Sequence, residues 1–114
     1  MQVSKLLASS RPHLQVNAVV VCVERGALDG TGVRDEQIDD LARRLRTLIA
    51  ERQLGTYDGR DNFSGESRLY LFSAEPDMLA SAAMEVIDTL DWRGRVRVRV
   101  SLDPLGTQWR SIEK

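Results

Sequence analysis

The 114-residue chain has a single cysteine, Cys22, so no disulfide can close within it. That usage suits a reducing compartment, and the chain reads as cytoplasmic. It has one histidine, His13, in the opening stretch, so no histidine–cysteine metal spacing is present and no catalytic triad is assigned. His13 reads as an ordinary surface histidine. No apolar run approaches the ~20 residues of a membrane helix. The opening stretch offers only Leu6-Leu7-Ala8 as an apolar centre, too short for a secretory signal. No charge of one sign dominates: the net charge is −1. That balance argues against a dedicated nucleic-acid binder, whose domain is strongly basic.

What is present fits one globular domain, with 42% hydrophobic and 29% charged residues. A chain of this size buries roughly 65% of its unfolded surface, enough for one core without staples. The charge is unevenly spread. Residues 93–114 hold six basic and two acidic residues, whereas residues 26–92 hold seven basic and fourteen acidic ones.

Residues 1–15 show no sustained period and read as an arm. Asn17 to Val23 reads as a strand apolar on both alternating sets, Val19, Val21 and Val23 on one and Ala18, Val20 and Cys22 on the other. Such a strand is usually covered on both faces. Gly26, Gly30 and Gly32 mark a loop. From Asp35 to Leu54, Ile38, Leu41, Ala42, Leu45, Leu48 and Ile49 recur on one helical stripe, with Asp35 as N-cap and Gly55 as the stop. Gly55–Asp61 and Ser67–Ser73 read as the strands of a hairpin turning at residues 62–66. A second helix starts at Pro76, with Leu79, Ala82, Ala83, Val86, Ile87 and Leu90 as its stripe. Arg95 to Val100 alternates strictly, which is a strand with valines on one face and arginines on the other. Asp103-Pro104-Leu105-Gly106 breaks it. The tail, 103–114, carries Trp109 and either adds an edge strand or stays loose.

Strand, helix, strand, strand, helix, strand is the ferredoxin-like βαββαβ order of an α+β protein. The expectation is a four-stranded antiparallel sheet over residues 16–102, its first and third strands central and two helices on one face. The other face would then carry Tyr70 and Phe72 from strand three and Arg95, Arg97 and Arg99 from strand four. A monomer rarely shows such a patch to water without use. These five residues are the candidate partner-binding set.

Other chemistry is thin. Cys22 in an apolar strand reads as a packing residue. The 26–32 loop matches neither the dinucleotide fingerprint nor the P-loop and reads as a plain connection. The 57–66 loop holds Asp58, Asp61, Asn62 and Glu66, but without EF-hand order and with Arg60 among them, so no metal is assigned. Tyr57, Asp58, Arg60 and Glu66 form an alternative ligand-binding set for a small-molecule sensor or minor enzyme. Tyr70 and Phe72 share only their spacing with the RNA-recognition strand. No catalytic residue and no cofactor are assigned.

Tyr57-Asp58-Gly59, Gly65-Glu66, Leu69-Tyr70-Leu71-Phe72 and Glu75-Pro76-Asp77 resemble a group of small, largely uncharacterised bacterial ferredoxin-like proteins. These share a Tyr-Asp-Gly turn, a glycine-rich hairpin, an aromatic strand and a Pro-Asp helix start. The resemblance spans residues 16–102, though residues 60–64 are less glycine-rich. It implies a bacterial α+β domain of immunity or regulatory type and carries no catalytic residue. The sequence therefore leads to a non-enzymatic protein-binding domain, homodimeric, acting through its open sheet face.

Overall fold

The computed structural model describes residues 17–26, 33–63, 65–92, 94–102 and 108–113. The 1–15 arm with His13, the glycine loop at 27–32 and the 103–107 break lie outside the described residues. Seven elements follow in chain order: β1 (Asn17–Glu24), α1 (Asp35–Arg52), β2 (Thr56–Phe63), β3 (Glu66–Ser73), α2 (Pro76–Ile87), β4 (Val96–Ser101) and β5 (Trp109–Glu113).

The sheet is antiparallel and five-stranded, in the order β2-β3-β1-β4-β5. This corrects the expected four-stranded ferredoxin-like βαββαβ sheet. β5 folds back along β4, so β1 is the middle strand and β3 and β4 flank it. The reason lies in β5 itself. Ile112 pairs with Val98 and packs half-buried against the core, giving the strand an apolar anchor beyond the proline break.

Both helices pack on one face. There Val19, Val21 and Val23 meet Leu69, Leu71, Val96, Val98 and Val100 from the neighbouring strands. α1 supplies Ile38, Leu41, Leu45 and Ile49 to this core, and α2 supplies Leu79, Ala82, Ala83 and Ile87. At ~25 cal/mol per Å2, each fully buried aliphatic side chain contributes about 1.5–3 kcal/mol to burial.

The ends of α1 differ from the expected caps. Arg34 holds the N-cap position, its backbone N–H donating to the Gln37 side chain at 2.8 Å. Asp35 is the first helical residue, and its carboxylate is engaged by arginines instead. α1 stops at Gln53, left-handed at φ 52°, rather than at Gly55. Gly55 serves the next element. At φ 140°, a Cβ there would lie 2.0 Å from the Phe72 carbonyl oxygen. Only glycine lets β2 enter this close to the end of β3.

Candidate functional site

The helix-free face of the sheet is the larger candidate surface. Cross-strand register builds it row by row. Ala18, Val20 and Cys22 of β1 stand beside Phe72, Tyr70 and Arg68 of β3 on one side. On the other side Arg99 stands beside Val20 and Arg97 beside Cys22. Beyond β3 lie Thr56, Gly59, Asp61 and Phe63 of β2, and beyond β4 lie Trp109 and Ser111 of β5. Tyr70, Phe72, Arg97 and Arg99 therefore share one continuous surface, and Arg95 sits at its end beside Glu24.

Charge on this face is largely compensated. Glu66 bridges two strands, accepting from Arg68 Nε at 2.6 Å and lying 3.5 Å from Arg97. Arg95 lies 3.3 Å from Glu24. Two guanidiniums stack on rings: Arg68 sits 4.2 Å from the centroid of Phe63, and Arg99 sits 4.9 Å from that of Trp109. Such contacts hold long side chains flat across a sheet. In keeping with that, Val20 and Cys22 are only 6% and 3% exposed although no helix covers them. Burial pushes the Cys22 thiol above its ordinary value, with Glu66 adding to the rise and Arg97 and Arg68 opposing it. A thiol held protonated in this way is a poor nucleophile. Glu24, Glu66, Arg95 and Arg97, with Gly65 and Gly94, also line a shallow recess of about 310 Å3. Its acids and bases are paired with one another.

The alternative set, Tyr57, Asp58, Arg60 and Glu66, does not converge. A bulge between Tyr57 and Gly59 sets Asp58 out of register. By shifting the alternation one residue, it brings Tyr57 and Arg60 to the helix side, paired with Leu71 and Leu69. Tyr57 packs against the core with Arg46 5.5 Å from its ring centroid, and burial raises its phenol above the ordinary value. Arg60 is committed to a network of its own. It donates to Asp39 Oδ1 at 2.6 Å, Asp35 Oδ1 at 2.9 Å, Asn62 Oδ1 at 3.1 Å and Ser67 Oγ at 3.2 Å. Ser67 is fully buried and itself donates to Asn62 Oδ1 at 2.7 Å. Arg25 reaches Asp35 from the other side at 3.3 Å. Its hydrogen bond, helped by Arg60, holds the Asp35 carboxyl below its ordinary value. This network clamps β2 onto the first turn of α1. Glu66, meanwhile, lies on the opposite face.

Sequence reasoning did not place Phe63 and Trp109 on the helix-free face, where both rings lie under arginines. For Trp109 the signal was the alternation continuing through Ile112 after the proline break. Among the described residues, no group of three histidine, cysteine or acidic side chains is placed to hold a metal ion. Among the same residues no helix is long and apolar enough to cross a membrane. No protein-family model matches the chain, and no solved structure gives a significant match.

Proposed function

We propose that this domain is a non-enzymatic binding module of bacterial, cytoplasmic type that engages a protein partner through the helix-free face of its sheet, as a homodimer. The observation that carries the reading is the middle strand. An antiparallel sheet with one face toward water normally alternates apolar inside and polar outside. β1 instead places Ala18, Val20 and Cys22 on the helix-free side, between the rings of Tyr70 and Phe72 and the stems of Arg97 and Arg99. Aromatic and arginine side chains around a dry apolar centre are the composition of binding hot spots. The resemblance to small bacterial proteins supports an immunity or regulatory role for that contact.

The test compares wild type with a Tyr70→Ala/Arg97→Ala double variant, both checked for fold by circular dichroism and both immobilised in extract of the source cells. The expected result is a protein retained by wild type and lost by the variant, with direct binding then seen by calorimetry of purified components. Identical retained sets from the two baits would end the proposal.

A further inference from the structure

The sheet has two edges, and they are built differently. β2 carries the Tyr57–Gly59 bulge, with Gly59 at φ 137°, and exposes Asp58 and Asp61 along its length. A bulge interrupts the ladder and like charges repel a second strand, which is how natural edges avoid pairing. β5 has neither protection. Trp109 to Glu113 runs in unbroken register with β4 and contains no glycine and no proline.

The direction of the β5 backbone groups follows from the hairpin that leads into it. The Leu102 N–H donates to the Gln108 carbonyl at 2.7 Å. Hydrogen-bonded and non-bonded pairs alternate along an antiparallel ladder. Counting from Leu102 and Gln108, Arg110 and Ile112 bond inward to β4, and the N–H and C=O of Ser111 point away from the sheet. Among the described residues, no strand pairs with that side of β5.

We infer that β5 is the self-association edge: two copies of this chain pair β5 to β5, antiparallel, about a two-fold axis at Ser111. This rests on the homodimer reading above and names its interface. An antiparallel pairing of a strand with its own copy is isologous, and one axis closes it. The register is chosen by chemistry. A centre at Arg110 would set two guanidiniums directly opposite, which is unfavourable. A centre at Ile112 would overlap only residues 111–113. A centre at Ser111 pairs the whole strand, places two small exposed hydroxyl side chains opposite each other, and lays Ile112 beside the aliphatic stem of the copy's Arg110. The product is one ten-stranded sheet. Its helix-free faces join side by side, so the dimer presents two Tyr70–Arg97 surfaces in one plane to a partner.

Sedimentation equilibrium of the full chain from low to high micromolar concentration should show a reversible monomer–dimer equilibrium. Ser111→Pro removes both central N–H donors while leaving the bonds to β4 intact, and should weaken the dimer by about tenfold or more. Ser111→Cys should cross-link on mild oxidation, because a hydrogen-bonded pair sets Cα atoms ~5.5 Å apart, within disulfide reach. Ser81→Cys, on the exposed side of α2, should not, and buried Cys22 does not compete. A dimer of unchanged affinity in Ser111→Pro, with no cross-link in Ser111→Cys, overturns the inference. If that dimer is instead lost in Tyr70→Ala/Arg97→Ala, the copies meet face to face and the homodimer reading survives alone. A wild type that stays monomeric throughout overturns both.

Discussion

Gly55 and Gly59 offer a controlled experiment on the entry of β2 into the sheet. Their backbones are nearly identical, at φ 140° and 137°, a region that side chains rarely adopt. Their surroundings are not. A Cβ at Gly55 would lie 2.0 Å from the Phe72 carbonyl oxygen and 3.1 Å from the Ser73 Cα, whereas one at Gly59 would meet nothing within 4 Å. Gly59→Ala should therefore cost backbone strain alone, about 1–3 kcal/mol. Gly55→Ala should cost that strain plus the displacement of a backbone carbonyl in β3, an overpacking term of about 1–3 kcal/mol more. Against a domain stability of roughly 5–15 kcal/mol, the second substitution takes a large share. Urea unfolding followed by circular dichroism reads the difference directly. With m of about 1–3 kcal/mol/M, the Gly55→Ala midpoint should fall about 1 M below that of Gly59→Ala, with slopes unchanged. Equal midpoints would refute the reasoning, because they would mean that β2 gives way without cost.

Three further outcomes follow from the structure. Arg60→Ala cuts the clamp between β2 and α1; the acids it holds are more than half exposed, so the loss should be about 1–2 kcal/mol by urea unfolding. Native protein should leave Cys22 unreacted with a thiol reagent at neutral pH and react fully in denaturant; rapid native labelling would contradict both its 3% exposure and its raised pKa. Asp35 and Glu85 have folded pKa values lowered by hydrogen bonds from Arg25 and Arg52, so their contributions are present above the unfolded values and fade as pH falls through the folded ones. Thermal unfolding should show a stability loss below about pH 4 that shrinks in an Asp35→Asn/Glu85→Gln variant.

The helices and the hairpin were legible because their apolar residues repeat at the period of the element that buries them. The 3.6-residue stripe of α1 and the alternation of β3 and β4 both report a core on one side. The fifth strand was legible only as one of two readings of the tail, an added edge strand or a loose end. Asp103-Pro104-Leu105-Gly106 reads as a boundary, and only Ile112 hints that the chain returns to the core. Nor could sequence place Arg60. Strict alternation from Tyr57 sends it to the helix-free side, beside the glutamate it was grouped with. One bulged residue, Asp58, reverses that and turns a candidate ligand contact into a clamp on Asp35 and Asp39. A bulge is a one-residue event in a ladder, and a Tyr-Asp-Gly turn motif reads the same with it or without it.

The charge arrangement of the helix-free face sets what kind of partner it suits. Four arginines, Arg68, Arg95, Arg97 and Arg99, read as a basic strip in sequence. Three of them lie against Glu66 or Glu24, and the fourth stacks on Trp109. A phosphate backbone would have to displace these carboxylates before meeting the guanidiniums. A single-stranded binder instead combines an uncompensated basic groove with rings open for stacking. Here an arginine already lies over the ring of Phe63 and over that of Trp109, and Tyr70 and Phe72 are half-buried. Fluorescence anisotropy with a labelled oligouridylate should accordingly show no saturable binding up to about 100 µM, and no growth in signal as salt is lowered. Saturable binding with a steep salt slope would mean that the Glu66 and Glu24 pairs open at little cost, and the face would then have to be reread as a nucleic-acid surface.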